Sequence, residues 1–226
     1  MKITAVLGSP NRKGNTAALV EHALQGAKEI GAETEFLFLK DYDIQYCMGC
    51  LSSGAREYCM TKGVCNINDD METLKAKLYK SDGIIFASPS YGIQPTARMK
   101  NFIKDRIGMY SVYTSAFAGK YFLGLSTAGG IGAKEVAKHL SEEYASGFFD
   151  RGFVSGSLGV LAGHGSVWDM EKELEKAKEL GRKLASDIQS KKKYPFQLFG
   201  KRLLTKFVIT PMIKKNILEH KEHKMK

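Results

Sequence analysis

The sequence predicts one α/β domain built on a parallel sheet with helices on both faces, followed by a basic C-terminal extension. Three observations lead there. Short apolar runs alternate with helix-period segments five times across residues 1–190. A chain of 226 residues suits one sizeable α/β domain better than two full ones. Three of the predicted strand ends, at residues 8–16, 88–92 and 126–130, are rich in Gly, Ser, Thr and Pro. Open parallel sheets place their ligands beyond the carboxyl ends of the strands.

Each element has a local reason. Residues 2–7 are short, apolar and β-branched and stop at Gly8-Ser9-Pro10. Asn15 or Thr16 can cap a helix to about residue 30, which Gly31 can end. Residues 33–39 read as a second strand and 40–68 as a long loop holding every cysteine. Asp69-Asp70 open a helix through residue 79, with acids placed to suit its dipole. Residues 83–87 form a fully buried strand, 88–92 a loop and 95–106 a helix. A fourth strand covers 120–125, and a helix reaches about residue 145. Residues 152–161 supply the fifth strand and 169–189 a charged amphipathic helix. Right-handed crossovers leave few ways to arrange these pieces.

Composition excludes several classes. The charged and apolar fractions are those of a globular chain, so wholesale disorder is excluded, and no run of eighteen apolar residues offers a spanning helix. Residues 1–8 are too short for a signal-peptide apolar core, which makes a cytoplasmic location the expectation. Residues 191–226 hold 11 Lys/Arg against 2 Asp/Glu and so carry +9 of the net +10. The body at 1–190 is thus nearly neutral, and any polyanion or membrane argument belongs to the tail.

Gly8-Ser9-Pro10-Asn11-Arg12-Lys13-Gly14-Asn15-Thr16 joins a strand to a helix. Such a loop offers backbone N–H groups and the positive end of a helix to an anion. Ser9, Asn15 and Thr16 add neutral donors, and Arg12 adds charge. Neither the Gly-x-Gly-x-x-Gly dinucleotide pattern nor the Lys-Ser/Thr ending of a triphosphate loop is present. A phosphate monoester, as in FMN, suits this loop. The bland reading is a helix cap with a turn. Ser88-Pro89-Ser90-Tyr91-Gly92 offers rigid backbone and one aromatic face, while Thr127-Ala128-Gly129-Gly130 lets backbone N–H groups approach a flat ring. Either alone could be only a turn; three at successive strand ends make a stronger signal.

At these residues the chain resembles the flavodoxin-fold NAD(P)H-dependent FMN reductases, and within them the iron–sulfur flavoproteins. The resemblance spans roughly residues 1–185. It is most specific at Cys47-Met48-Gly49-Cys50, at residues 63–71 from Gly63-Val64-Cys65 to Asp69-Asp70-Met71, and at Ser81-Asp82-Gly83-Ile84-Ile85. It continues through Ser88-Pro89-Ser90-Tyr91-Gly92 to Lys100-Asn101-Phe102-Ile103-Lys104-Asp105-Arg106. It implies a flavodoxin-like five-stranded parallel sheet of order 2-1-3-4-5; the residues themselves divide the chain into a domain over 1–190 and a basic amphipathic helical tail at 191–226. It also implies FMN at the three loops, hydride from NAD(P)H as co-substrate, and a homodimer or homotetramer. The family's phosphate-loop Ser, Arg, Asn and Thr fall on Ser9, Arg12, Asn15 and Thr16. Pro89, Ser90, Tyr91, Gly92, Thr127, Ala128, Gly129 and Gly130 then complete the flavin-binding set.

The cysteines Cys47, Cys50, Cys59 and Cys65 stand as C-x2-C-x8-C-x5-C within 19 residues. Their clustering in one loop argues for metal or redox chemistry rather than a disulfide framework. Four such thiolates can ligate a [4Fe–4S] cluster. The family's run has a shorter middle gap, and zinc, ordinary thiols and a redox disulfide remain open here. Electrons would pass from NAD(P)H through FMN to a quinone, another small acceptor or the cluster. The alternatives are an electron carrier reduced by ferredoxin and a non-catalytic binding module.

In the tail, Phe196, Phe199, Leu203 and Phe207 recur at helical spacing among Lys201, Arg202 and Lys206. An anionic membrane surface is one reading and a helical arm on a neighbouring subunit or over the flavin is the other. No nucleic-acid module accompanies the basic residues. His164, in a glycine turn, is a candidate acid or a structural residue. Trp168 reads as a core anchor, and Asp105 and Arg106 as an interface or helix-end ion pair. No Ser–His–Asp motif supports hydrolase chemistry.

Overall fold

The computed structural model describes residues 1–50, 59, 64–108, 116–145, 152–209 and 211–212. Five long strands, β1 (Lys2–Leu7), β2 (Glu33–Phe38), β3 (Gly83–Tyr91), β5 (Tyr121–Ala128) and β6 (Phe153–Leu161), pair in parallel in the order β2-β1-β3-β5-β6. The two-residue β4 (Gln94–Pro95) folds back antiparallel on the end of β3. Without β4 the order is the expected 2-1-3-4-5.

Helices cover both faces. α1 (Asn15–Glu29) and α5 (Glu171–Gln189) pack with Leu7, Leu125, Ile85 and Leu184 in one apolar cluster. The two helices approach through glycines. A Cβ on Gly26 would lie 1.9 Å from the Lys178 carbonyl oxygen, and one on Gly181 would lie 1.8 Å from that of Ala23. On the other face α2 (Met71–Tyr79), α3 (Ala97–Lys100) and α4 (Ala133–Glu142) enclose Phe86, Phe102, Phe117, Phe122 and Tyr144. The Phe117 and Tyr144 rings sit 4.6 Å apart, and the Tyr144 hydroxyl donates to the Ile103 carbonyl.

Two elements differ from expectation. Residues 88–91 are not loop: β3 runs on to Tyr91, because Ser88 and Pro89 pair with Ser126 and Thr127, and Ser90 and Tyr91 pair with β4. The turn between β3 and β4 has Gly92 at φ 57° and Ile93 at φ 62°. Two successive positive φ values mark the tight hairpin turn that matches strand twist. The predicted helix over 95–106 begins at Ala97 and widens after Lys100 into a π-helix, Asn101–Gly108. The wider turn brings Asn101 and Arg106, five residues apart, onto the same carbonyl: both donate to Gln45 O, at 3.2 and 2.6 Å.

After α5 the chain crosses beneath the sheet. Tyr121 donates its hydroxyl to Lys192 O at 3.0 Å, and Tyr194 donates to Asp187 at 2.7 Å. The Gln197 amide accepts from Val154 N–H and donates to Val154 O, both at 2.8 Å. A short helix, α6 (Phe199–Leu204), then continues as a π-helical turn, Thr205–Ile209.

Candidate functional site

The strand carboxyl ends converge at one pole. Residues 8–16, the β3–β4 hairpin, residues 128–132 and residues 162–168 are fastened there by named bonds. Gly8 N–H donates to Ala87 O at 2.8 Å, and the buried Thr96 hydroxyl donates to Gly8 O at 2.8 Å. Thr16 and Thr127 share a buried hydroxyl–hydroxyl bond of 2.6 Å. Ser90 donates to Ile131 O at 3.4 Å, and Ala162 N–H to Ala128 O at 2.9 Å. Asn15 bridges to the last segment: its amide donates to Gly165 O at 3.2 Å and accepts from Val167 N–H at 2.9 Å. Trp168 donates its indole N–H to Lys13 O at 3.1 Å.

All three loops named from the sequence therefore meet, but their side chains have specific duties. Ser9 holds the turn, accepting from Asn11 N–H at 3.1 Å. Arg12 is exposed, paired with Asp41 and stacked over Phe38 at 4.5 Å. Asn15 and Thr16 are committed to the bonds above, so an anion here meets chiefly backbone. α1 begins at Asn15 with no side-chain cap, and since Ala17 N–H already donates to Gly14 O, the N–H groups of Asn15 and Thr16 are those left to such an anion. Pro89 and Ser90 are half-buried, while Tyr91, Gly92, Gly129 and Gly130 are exposed at the rim. Ala128 is buried at the end of β5. Ile93 and Ile131, which sequence reasoning missed, also stand exposed at this pole. Only the backbone angle of Ile93 and the convergence of loops draw attention to them. His164 is exposed in its glycine turn, and Trp168 is part-exposed rather than a core anchor.

The cysteine loop leaves β2 and enters α2 at the same pole. Its two ends are joined by a buried ion pair. Arg106 grips Asp69 with bonds of 2.5 and 3.0 Å, and the two side chains are 2% and 1% exposed. Arg106 also donates to Gln45 O, two residues before Cys47, and its other nitrogen lies 3.6 Å from Cys65 Sγ. Burial alone would raise the Asp69 carboxyl; the Arg106 hydrogen bonds, with N–H groups of Gln45 and Met71, outweigh it and hold the group below its usual range. Burial likewise works against the charge on Arg106, and Asp69 more than restores it. Arg106, in the last turn of the π-helix as a helix-end ion-pair residue, is thus also the centre of the loop's base. Cys47 is exposed and Cys50, Cys59 and Cys65 are half-buried, and no disulfide joins them. Among the described residues no three Cys, His, Asp or Glu side chains form a group that could hold a metal ion.

Residues 1–158 match the family described as NADPH-dependent FMN reductase. The chain belongs to that family. Its curated relatives include an iron-sulfur flavoprotein of Archaeoglobus fulgidus, 36% identical over 193 residues, covering 84% of this chain and 82% of the relative. One of Methanocaldococcus jannaschii is 31% identical and matched over its whole length by 85% of this chain. One of Clostridioides difficile is 29% identical, with 98% of this chain and 95% of the relative covered. Among solved structures, a flavone reductase superposes with a TM-score of 0.63 at 20% identity, over 84% of this chain and 63% of the other. An archaeal flavodoxin gives 0.52 at 15%, over 84% and 99%. At such identities these superpositions speak for the fold: this FMN reductase family member is flavodoxin-like. It thus belongs to a group of flavin-dependent oxidoreductases.

Proposed function

We propose that the chain binds one FMN per subunit across the strand-end loops and passes electrons from NAD(P)H to a quinone or another small acceptor. The observation that carries this reading is the convergence of residues 8–16, 88–94 and 127–132, locked together by the Thr16–Thr127, Thr96–Gly8 and Ser90–Ile131 bonds. Bound FMN would supply acceptance of hydride from a nicotinamide and return of the electrons to an acceptor.

The protein's own part is binding and orientation. The uncapped start of α1 receives the phosphate through backbone N–H groups, with Arg12 adding charge at the lip. Asn15 fixes that helix start to residues 165–167, so the phosphate loop cannot drift from the fourth segment. The exposed Gly129 and Gly130 permit close approach of backbone to a ring. Tyr91, Ile93 and Ile131 offer apolar cover that keeps water from a flat ligand. The hydride step needs no protein acid or base, so rate rests on placement.

A second reading, an iron–sulfur flavoprotein electron carrier reduced by ferredoxin, is favoured by four thiols on one loop at this pole. The names of the relatives support it too. Among the described residues the sulfurs as placed form no group that could hold a metal ion, and so do not fit a cluster.

The test is an absorption spectrum of anaerobically purified protein, followed by stopped-flow reduction with NADPH, NADH and reduced ferredoxin. A flavin spectrum bleached by a nicotinamide is the expected result. Failure of both nicotinamides with rapid reduction by ferredoxin, plus iron and sulfide on analysis, would establish the carrier instead. Protein that takes up no added FMN would sink both readings.

A further inference from the structure

The segment after α5 is fastened to the body in an unusual way. Amphipathic helices normally bury their apolar side. Here polar and cationic groups do the fastening: Lys201 pairs with Glu142, and Arg202 donates to Ala145 O and Gly152 O at 3.3 and 2.8 Å. Leu198 and Thr205 turn inward, and Tyr194, Gln197 and Ile209 are half-buried, with Tyr194 packed on the Phe153 ring. Phe196 is left 85% exposed and Phe207 66% exposed, with Phe199, Leu203, Leu204 and Val208 exposed beside them. Residues 191–209 carry six Lys/Arg and no acid. At the root of the segment, an open groove of about 420 Å³ is lined by Lys191, Lys193 and Lys120 and one acid, Asp82, together with Tyr121 and Phe153.

We propose that residues 191–209 dock the protein on an anionic lipid surface, at the pole of the sheet opposite the candidate flavin loops. The place follows from topology. The segment touches Gly152 and Val154, where β6 begins, and the end of α4, whereas the flavin loops lie where the strands end. The occupant follows from charge. A second copy would bring a tail of +9 against one of +9, on a body that is nearly neutral. Of the acids nearby, Glu142 and Asp187 are already paired with cations, and Asp82, which lines the groove, accepts from the Lys2 backbone N–H and is outnumbered there by three lysines. An anionic bilayer supplies both a negative layer and an apolar one within side-chain reach. The attachment is peripheral, since among the described residues no helix is long and apolar enough to cross a membrane. The redox pole then faces water, open to soluble partners.

The experiment is co-sedimentation of the full-length protein with vesicles of equal parts phosphatidylglycerol and phosphatidylcholine, and with phosphatidylcholine alone. Binding to the first, weakened by salt and absent from the second, is expected. Phe199→Ser with Phe207→Ser should weaken it by roughly tenfold or more. Lys191→Gln or Lys193→Gln should each weaken it by about fivefold. Phe196→Ser, at the most exposed position, guards against a folding defect in the double variant, with circular dichroism as the control. Equal binding to both vesicles, no binding, or undiminished binding by the apolar variants overturns the proposal. So does a light-scattering mass showing that those variants break an oligomer without changing vesicle binding, because the face then belongs to a second copy.

Discussion

Replacing Asp69 by Ala leaves the Arg106 guanidinium in place with its charge uncompensated. Both side chains are almost wholly buried, so water cannot substitute for the lost carboxylate. Two bonds to Arg106 vanish, and the N–H groups of Gln45 and Met71 lose their acceptor as well. Breaking one side of a buried pair costs about 3–5 kcal/mol. For a chain of 226 residues, each kcal/mol moves the melting temperature by about 2–4 °C, so calorimetry should show a fall of about 6–20 °C. The pH dependence has a definite sign. The folded carboxyl titrates below its unfolded value, so its contribution is complete above the ordinary carboxylate range. It is lost as pH falls through the folded pKa. The acid limb of the stability curve should therefore be shallower in the variant than in the parent below about pH 5. Asp69→Leu with Arg106→Met should recover most of the loss, because an apolar pair of similar volume removes both buried charges. A fall under about 2 °C for Asp69→Ala, or a double variant no more stable than the single one, would refute the assignment of Arg106 as the loop's buried anchor.

Three further outcomes are expected. Gly181→Ala drives a methyl into the Ala23 carbonyl and should cost about 1–3 kcal/mol or more by urea melts, with FMN affinity little changed because the crossing lies away from the loops. Thr127→Val strands the Thr16 hydroxyl in the interior and should cost about 1–3 kcal/mol, whereas Thr16→Val with Thr127→Val should cost less than the two singles summed; a double-mutant cycle reads the coupling. Ile93→Gly relieves a β-branched residue at φ 62° and should raise stability by about 1 kcal/mol. A fluorescence titration should show weaker FMN binding in that variant if the isoleucine covers the ring.

The sheet is readable chiefly through its central strands β1, β3 and β5, which are almost wholly buried along most of their length, since burial on both faces leaves continuous apolar runs. Residues 83–87 show this, and so do 2–7. The continuation of β3 through Ser88-Pro89-Ser90 was not readable, since those residue types signal turns. What makes them strand is pairing with Ser126, Thr127 and β4, and no local window contains that information. The three strand-end loops are legible in composition, but not the commitments of their side chains. Thr16 looks like a phosphate donor by position, yet its hydroxyl faces Thr127, 111 residues away. Arg106 is legible as a helix-end ion-pair residue, but not its partner or its burial. Its partner Asp69 is 37 residues earlier, and the π-helical widening that turns it inward has no sequence mark.

The Gln197 amide on Val154 has a consequence for solubility. Among the described residues β6 pairs with β5 and no other strand, so its outer side offers N–H and C=O groups to any strand that drifts past. Such an edge is a template for polymerisation. One side chain fills the first donor–acceptor couple there as a strand of a neighbouring molecule would. Shortened forms ending near residue 190 would lose that guard and tend to aggregate through β6, even with every strand-end loop intact.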